Sequence, residues 1–563
     1  MAEPPDEAGI TGPQPPKHRY DGGGTISLLN LPQDIFLGIL DQLRPDGPLT
    51  TYESRARRPI GRPSHVECRT SLLNACLASK ELYGLVIPCL YRNSLIRDRR
   101  ELFHFFRTLA RRPDRRPMVR SFAWVGILRG EAVKPGSSAA LLHEEATMIA
   151  ERWNSIKDEW PCDRLDHDIA ELLKINGPDT LKDCKLLGAV LALCPRIKWL
   201  FMRNGGTRGI PLDGFNVCPE SDAVTPFLRR YVFGESRESQ GSVRPYDHHF
   251  LQDLQSLTID DHNGEGERLR TEIILAGLFL NSPLLRRLEV KHPPHFAYIK
   301  TNFRTPGEDS KPLAENVEEV LVFCGDDPQD DMSAIVAFPK LRTLRAEFRD
   351  GSASPLEIFS FPHPRPRIPG ALLNVSKTLE TLCLTTSPET YPAEGRWESK
   401  TYPSSLSTLN QMTKLKDLTT ECIWLFGSAD PAVALQLPHL LPPSLARLHL
   451  IDYWGNSNLA EFYPEFPDGW SVLDFYVHVF QALRNECQVY NRDLKEVTFA
   501  SNYLTSHAEA TAPFRGRFQD ETEITQARLQ ILKVLFSQVG VIFNVLTHEE
   551  STAMIHARWA NIG

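Results

Sequence analysis

The feature that most restricts the fold is a short pattern, apolar-x-x-apolar-x-apolar, that recurs along the chain at irregular intervals. It occurs as VRSFAW from Val119, IKWLFM from Ile197, LRRYVF from Leu228, LQSLTI from Leu254 and LRRLEV from Leu285. It returns as VEEVLV from Val317, LRTLRA from Leu341, LETLCL from Leu379, LKDLTT from Leu415, LARLHL from Leu445 and LKEVTF from Leu494. Between Ile197 and Leu445 successive copies lie 24 to 38 residues apart, the spacing of an irregular repeat array. The apolar–x–apolar end of each copy predicts a strand with one face buried.

Several copies follow an apolar helical stretch and a break. LLGAVLALCP precedes IKWLFM, EIILAGLFLNSP precedes LLRRLEV, and VLDFYVHVFQALRNE precedes LKEVTF. One helix and one strand cannot bury their apolar faces alone, and stacking such units is how a solenoid builds a core. The expected fold class is therefore α/β, a small all-helical domain followed by a solenoid of alternating helices and parallel strands. The solenoid is expected over residues 118–563, with a helical insertion at Ala139–Trp160.

Upstream of the repeats the composition changes. Residues 1–25 are rich in Pro and Gly with no apolar core, which predicts a disordered tail and no signal peptide. In LLNLPQDIFLGILDQL, Pro32 suits a first helical turn and Asp34 lies near the positive end of the helix dipole. Ile35, Phe36, Ile39, Leu40 and Leu43 then fall on one face of a short helix. A polar, Pro-rich and Arg-rich stretch over 45–70 reads as an inserted loop, and SLLNACLASKELYGLVIPCLYRNSLI after it as a second apolar stretch.

These two stretches resemble an F-box of the form common in filamentous fungi, and the helical domain would cover residues 26–95. Leu31, Pro32, Asp34, Ile35, Ile39 and Leu43 match its first half. Leu73, Cys76, Ser79, Lys80, Leu82, Pro88, Leu90, Tyr91 and Arg92 match its second. The long polar insert between the halves departs from the usual pattern, although lengthening a surface loop costs little entropy. The resemblance implies a Skp-type adaptor, and through it a cullin, as partners. Its expected contacts are Leu31, Pro32, Ile35, Phe36, Ile39, Leu43, Leu73, Cys76 and Leu82.

The repeats resemble degenerate leucine-rich repeats; only LKEVTFASNYL, with Asn502 and Leu504, completes that consensus. Strand residues between the core positions would then line a concave sheet facing a protein substrate. Trp199, Phe201 and Arg203 belong to one unit, Arg287, Glu289 and Lys291 to another, and Thr343, Arg345 and Glu347 to a third. Asp417, Thr419, Glu421, Arg447 and His449 continue that surface, whose mixed charge suits a protein better than a polyanion or a lipid.

Bulk numbers agree with that class. A net charge of −8 argues against nucleic acid and anionic membrane as general partners, and no apolar run approaches the length of a membrane span. Eleven cysteines without a CxxC pair read as reduced thiols in the cytoplasm or nucleus. The basic run Arg92–Arg120 holds ten arginines against three acids. With Leu102, Phe105, Phe106 and Leu109 it reads as an amphipathic linker helix over 96–117 with a solvated basic face.

Chemistry-bearing motifs are few. There is no GxxxxGK[ST], GxSxG, HExxH or complete GxGxxG. LLHEEATMIAERW and THEESTAMIH read as solvated helix faces, GDDPQDD (Gly325–Asp331) as a loop, and Asp261–Glu272 as a turn that only approaches a calcium-loop pattern. The reading is a substrate receptor of a Skp–cullin–F-box ubiquitin ligase, not an enzyme, with no metal and no cofactor. Two alternatives stand beside it: a repeat scaffold without a ligase role, and an enzyme with an unrecognised site.

Overall fold

The structure is a computed structural model. It describes residues 32–42, 65–96, 99–124, 187–204 in part, 251–261, 282–291, 315–324, 335–348 in part, 367–386, 406–425 in part, 436–452, 472–501 and 515–560. Chain contacts divide it into two compact units, residues 1–45 with 63–89, and residues 46–62 with 90–563. The repeat expected from Leu228, the insertion at Ala139–Trp160, residues 262–272, Asn502 and Leu504 lie outside the described residues.

The first unit contains helices α1 (Gln33–Gln42), α2 (His65–Ala78) and most of α3 (Lys80–Arg92). The Phe36 N–H donates to the Pro32 carbonyl at 3.0 Å, so the proline stands where α1 begins. Phe36 and Leu40, four residues apart, are buried. On α2, Cys68, Leu72 and Cys76 form a buried row with the same spacing. That row explains why α2 starts at His65, inside the stretch expected to be a loop to residue 70: Cys68 extends the apolar series one turn upstream. Ser79 caps α3, its Oγ accepting from the Leu82 N–H at 3.0 Å.

The second unit is built on a twelve-stranded sheet whose strands follow chain order and pair in parallel throughout. They are β1 (Asn93–Ile96), β2 (Ser121–Trp124), β3 (Trp199–Asn204), β4 (Ser256–Asp261), β5 (Arg287–Lys291) and β6 (Glu319–Cys324). Then come β7 (Thr343–Phe348), β8 (Thr381–Thr386), β9 (Asp417–Glu421), β10 (Arg447–Asp452), β11 (Glu496–Ser501) and β12 (Ile542–Leu546). Each repeat pattern within the described residues thus yields one strand, from β2 to β11.

Register follows from the pattern. Leu288, for example, pairs with Leu257 and Val320, and Val290 with Ile259 and Val322, so apolar rows run along the sheet, interrupted by buried Ser94 in β1 and buried Thr420 in β9. The first apolar position of each described copy sits just ahead of its strand, and in most copies it closes a tight turn. The Leu285 N–H donates to the Ser282 carbonyl, that of Leu341 to Phe338 and that of Leu494 to Asn491, all at 3.0–3.1 Å. The next carbonyl then joins adjacent repeats by accepting two N–H groups. Arg286 takes Glu318 and Glu319, Arg342 takes Glu380 and Thr381, and Lys416 takes Ala446 and Arg447.

Helices cover the core face. α4 (Arg99–Arg111), α5 (Arg367–Asn374), α6 (Leu437–Leu440), α7 (Val472–Tyr490) and α8 (Arg515–Gln538) lie between strands in the chain. Their apolar residues join one continuous cluster with the strand rows. Near the C-terminal end that core turns aromatic: Phe480 meets Phe499 and Phe543 edge-on, each with centroids 5.1 Å apart, and Phe536 stacks on Phe543 at 5.0 Å.

Three expectations are corrected. The sheet begins at Asn93, not 118. The basic helix is no linker: α4 lies between β1 and β2, and Leu102, Phe105, Phe106 and Leu109 belong to the sheet's core. Its basic flank is also not wholly solvated. Arg115 and Arg116, in the 3-10 turn Pro113–Met118, are buried. Arg116 donates to the Leu109 and Ala110 carbonyls at 2.9 and 3.3 Å, satisfying acceptors that the end of α4 leaves open. Arg115 donates to the Tyr91 hydroxyl at 2.7 Å.

Two stability measurements check this account. Phe480→Ala should cost about 3–5 kcal/mol in urea unfolding, because it empties the centre of the aromatic core. Arg116→Ala should cost about 1–3 kcal/mol, because it strands buried carbonyls; Arg112→Ala, at an exposed ion pair with Asp114, should cost under about 1 kcal/mol.

Candidate functional site

Two surfaces qualify. The first lies on the helical unit. α1 turns Phe36 and Leu40 inward but exposes Ile35 and Ile39, 50 % and 38 % accessible and also four residues apart. α2 repeats the arrangement with Leu73 and Leu77, 48 % and 78 % accessible. Large aliphatic side chains left exposed in this way on two helices of a small unit make their faces a candidate interaction surface. Of the residues expected to meet an adaptor, Pro32, Ile35, Ile39 and Leu73 are exposed, Leu82 is half-buried, and Phe36 and Cys76 are buried. Leu31 and Leu43 lie outside the described residues. Phe36 turns inward because neighbouring helical positions are about 100° apart around the axis.

The second surface is the sheet face opposite the core. Alternation puts three rows there. One row includes Trp199, Arg287, Thr343, Asp417 and Arg447. The middle row includes Phe201, Glu289, Arg345, Thr419 and His449, and the third Arg203, Lys291, Glu347 and Glu421. Arg447 is exposed; Trp199, Arg287, Glu347, Asp417 and Thr419 are half-buried; Phe201, Glu289, Arg345, Glu421 and His449 are buried. The backbones of Arg203 and Lys291 are described but their side chains are not. Phe201 joins Leu95 and Ala123 in a separate apolar cluster on this face.

The charges here neutralise one another within strands. Arg345 bonds Glu347 at 3.0 Å on β7, and Arg287 lies 3.9 Å from Glu289 on β5, each pair two residues apart and so on the same face. At the upstream end of the strands a charged ladder crosses repeats. Glu380 accepts from Arg342 at 2.6 Å and from Lys416 at 3.2 Å, and Arg342 also reaches Glu318 at 3.9 Å. Arg447 forms a fork on Asp417, with Nη2 to Oδ2 at 2.7 Å, and these bonds raise the Arg447 pKa. Partial burial alone would raise the Glu380 pKa, but the bonds from Arg342 and Lys416 outweigh it and hold the carboxyl below its ordinary range. A face that balances its own charge in this way presents local polar contacts rather than one sign of field.

The last helix changes this surface. α9 (His548–Ala560) follows β12 after the single residue Thr547 and packs against β11 and β12. Its start is a capping box: the Glu550 N–H donates to Thr547 Oγ1 at 3.0 Å, and the Thr547 N–H to Glu550 Oε2 at 2.8 Å. Ser551 is buried, its Oγ 3.0 Å from Nε2 of the buried His449. Ile555, one turn on, clusters with Cys383 of β8 and Ile451 of β10. Those three strand residues lie on the face opposite the core, because Leu382, Leu384, Leu448 and Leu450 between them point into it. THEESTAMIH is therefore not a wholly solvated helix: Glu549, Glu550 and Ala553 face water while Ser551 and Ile555 do not. The Thr-x-x-Glu spacing is the sequence signal that could have located the helix start, but nothing local shows which surface it meets. Burial pushes the Cys383 thiol up to about 12, so it stays protonated and unreactive while covered.

Among the described residues no three metal-ligating side chains gather into a cluster, and no helix is long and apolar enough to cross a membrane.

The Glu380 ladder makes a pH prediction. A carboxyl whose pKa is lowered on folding adds stability that is complete above its unfolded pKa, near 4.5, and is lost as pH falls through the lower folded value. The gap in urea midpoint between the natural chain and Glu380→Gln should thus be widest near neutrality and close below about pH 4. A gap that persists in acid would show that the ladder acts through packing instead.

No protein-family model matches the chain, and no curated protein matches it either.

Proposed function

We propose that the chain is the substrate-recognition subunit of a Skp–cullin–F-box type ubiquitin ligase. The observation that carries the reading is that Ile35 and Ile39 on α1, and Leu73 and Leu77 on α2, are exposed on a compact helical unit whose sequence resembles an F-box. In this reading that face docks on a Skp-type adaptor. In this reading the long parallel sheet offers the second requirement, an extended face of mixed polar and apolar residues for a protein target. The chain itself performs no covalent step and needs no metal or cofactor. It acts by proximity, holding the target where the recruited conjugating enzyme reaches it, which converts a bimolecular encounter into an effectively intramolecular one. Such a subunit works in the cytoplasm or nucleus.

Burying a large aliphatic side chain is worth about 1.5–3 kcal/mol, and a carboxylate in its place adds a desolvation penalty. Ile35→Asp or Ile39→Asp should therefore abolish co-purification with the adaptor and cullin from the native cell. Proteins held by the sheet should persist in the same pull-down. Adaptor binding retained by both variants would overturn the assignment. Because both side chains are exposed, each variant should melt at the temperature of the natural chain, which separates lost binding from lost folding.

A further inference from the structure

We propose that α9 is a displaceable occupant of the sheet, holding in cis a seat over β8 to β10 that takes an amphipathic helix of a partner protein in trans. The inference deepens the reading of this sheet face as the target-capture surface and rests on it. The seat recognises two side chains one helical turn apart. His449 Nε2 meets a hydroxyl, as it meets Ser551 Oγ at 3.0 Å. The apolar pair Cys383 and Ile451 meets an aliphatic group, as it meets Ile555. The partner class is thus a helix carrying Ser or Thr at one position and Ile, Leu or Val four residues later.

Three observations make α9 an occupant rather than another layer of the fold. α7 and α8 bury Tyr476, Val479, Phe480 and Leu483, and Leu529, Leu532 and Phe536, in the main core. Among its described residues α9 buries only Ser551 and Ile555, on the other face. Its capping box is formed within its own first turn, so the helix start survives undocking. One residue, Thr547, joins it to β12, so release requires rotation at that link and no unfolding of a repeat. Being tethered, α9 has a high effective concentration at the seat, and a partner helix must outcompete it.

The test uses the full chain and a fluorescent synthetic peptide of residues 547–563. Ile555→Asp in the chain should release α9, so the peptide should bind that variant at least about tenfold more tightly than the natural chain. Alkylation of Cys383, followed by peptide mass mapping, should accelerate in the variant by a similar factor. Equal peptide affinity for the two chains, no binding to either, or unchanged Cys383 alkylation would overturn the proposal. Hydrogen exchange of the natural chain decides the matter even if the variant does not fold. Amides of 551–560 should exchange faster than those of β8 to β11, and equal protection would mean that α9 opens only with global unfolding. No readout involves the adaptor, so failure here and failure of the ligase reading are separately visible.

Discussion

The structure depends on a parallel ladder in which, from β2 to β10, the carbonyl at the upstream end of a strand accepts two N–H groups from the next repeat. The Arg286, Glu318, Arg342, Glu380, Lys416 and Ala446 carbonyls all serve this way. Such a ladder requires every strand to start at the same height. That requirement places the first apolar residue of each described copy just upstream of its strand, in most copies within a tight turn. Once the start is set, side-chain alternation sends every second residue, beginning with the second of each strand, to the core side and the rest to the opposite face. A one-residue slip would exchange the two sets, so the buried leucines and the charged outer rows are consequences of one register.

Polar groups at the turns reinforce that register. Buried Asn491 donates to the Leu441 and Pro442 carbonyls of the preceding repeat at 3.4 Å, and Ser444 Oγ to the Leu415 carbonyl at 2.9 Å. Buried Arg116 does the same at the end of α4. Side chains that look like surface polarity in the sequence thus satisfy backbone acceptors that helix ends and turns leave open. The two units differ in kind: the sheet buries its leucines against its own helices, whereas the small helical unit leaves aliphatic pairs on α1 and α2 exposed.

The strands that the pattern missed show where sequence reading fails. In β1 the position equivalent to Phe122 is Ser94, a buried hydroxyl that donates to the Tyr91 carbonyl at 3.1 Å, so the local pattern lacks its central apolar residue. In β12 the position that leads each copy is Gly540, with φ of 76°, which ends α8 in the left-handed conformation that suits glycine. Both strands were recoverable only from their neighbours, because pairing with an established strand overrides weak local preference. The candidate surfaces divide in the same way. Ile35 and Ile39 were legible by spacing as part of an apolar face, but that Phe36 turns inward was not.

What the sequence determined by itself is the α/β class, the parallel strands β2 to β11 within the described residues, and the buried row in each, because a recurring apolar spacing has few ways to be buried. Tertiary structure alone decided what meets the opposite face. Ser551 reaches His449 from 102 residues away, and Ile555 reaches Cys383 across an even longer separation. No local period encodes such contacts, since they exist only after the intervening strands have stacked in register and brought the end of the chain back over the sheet.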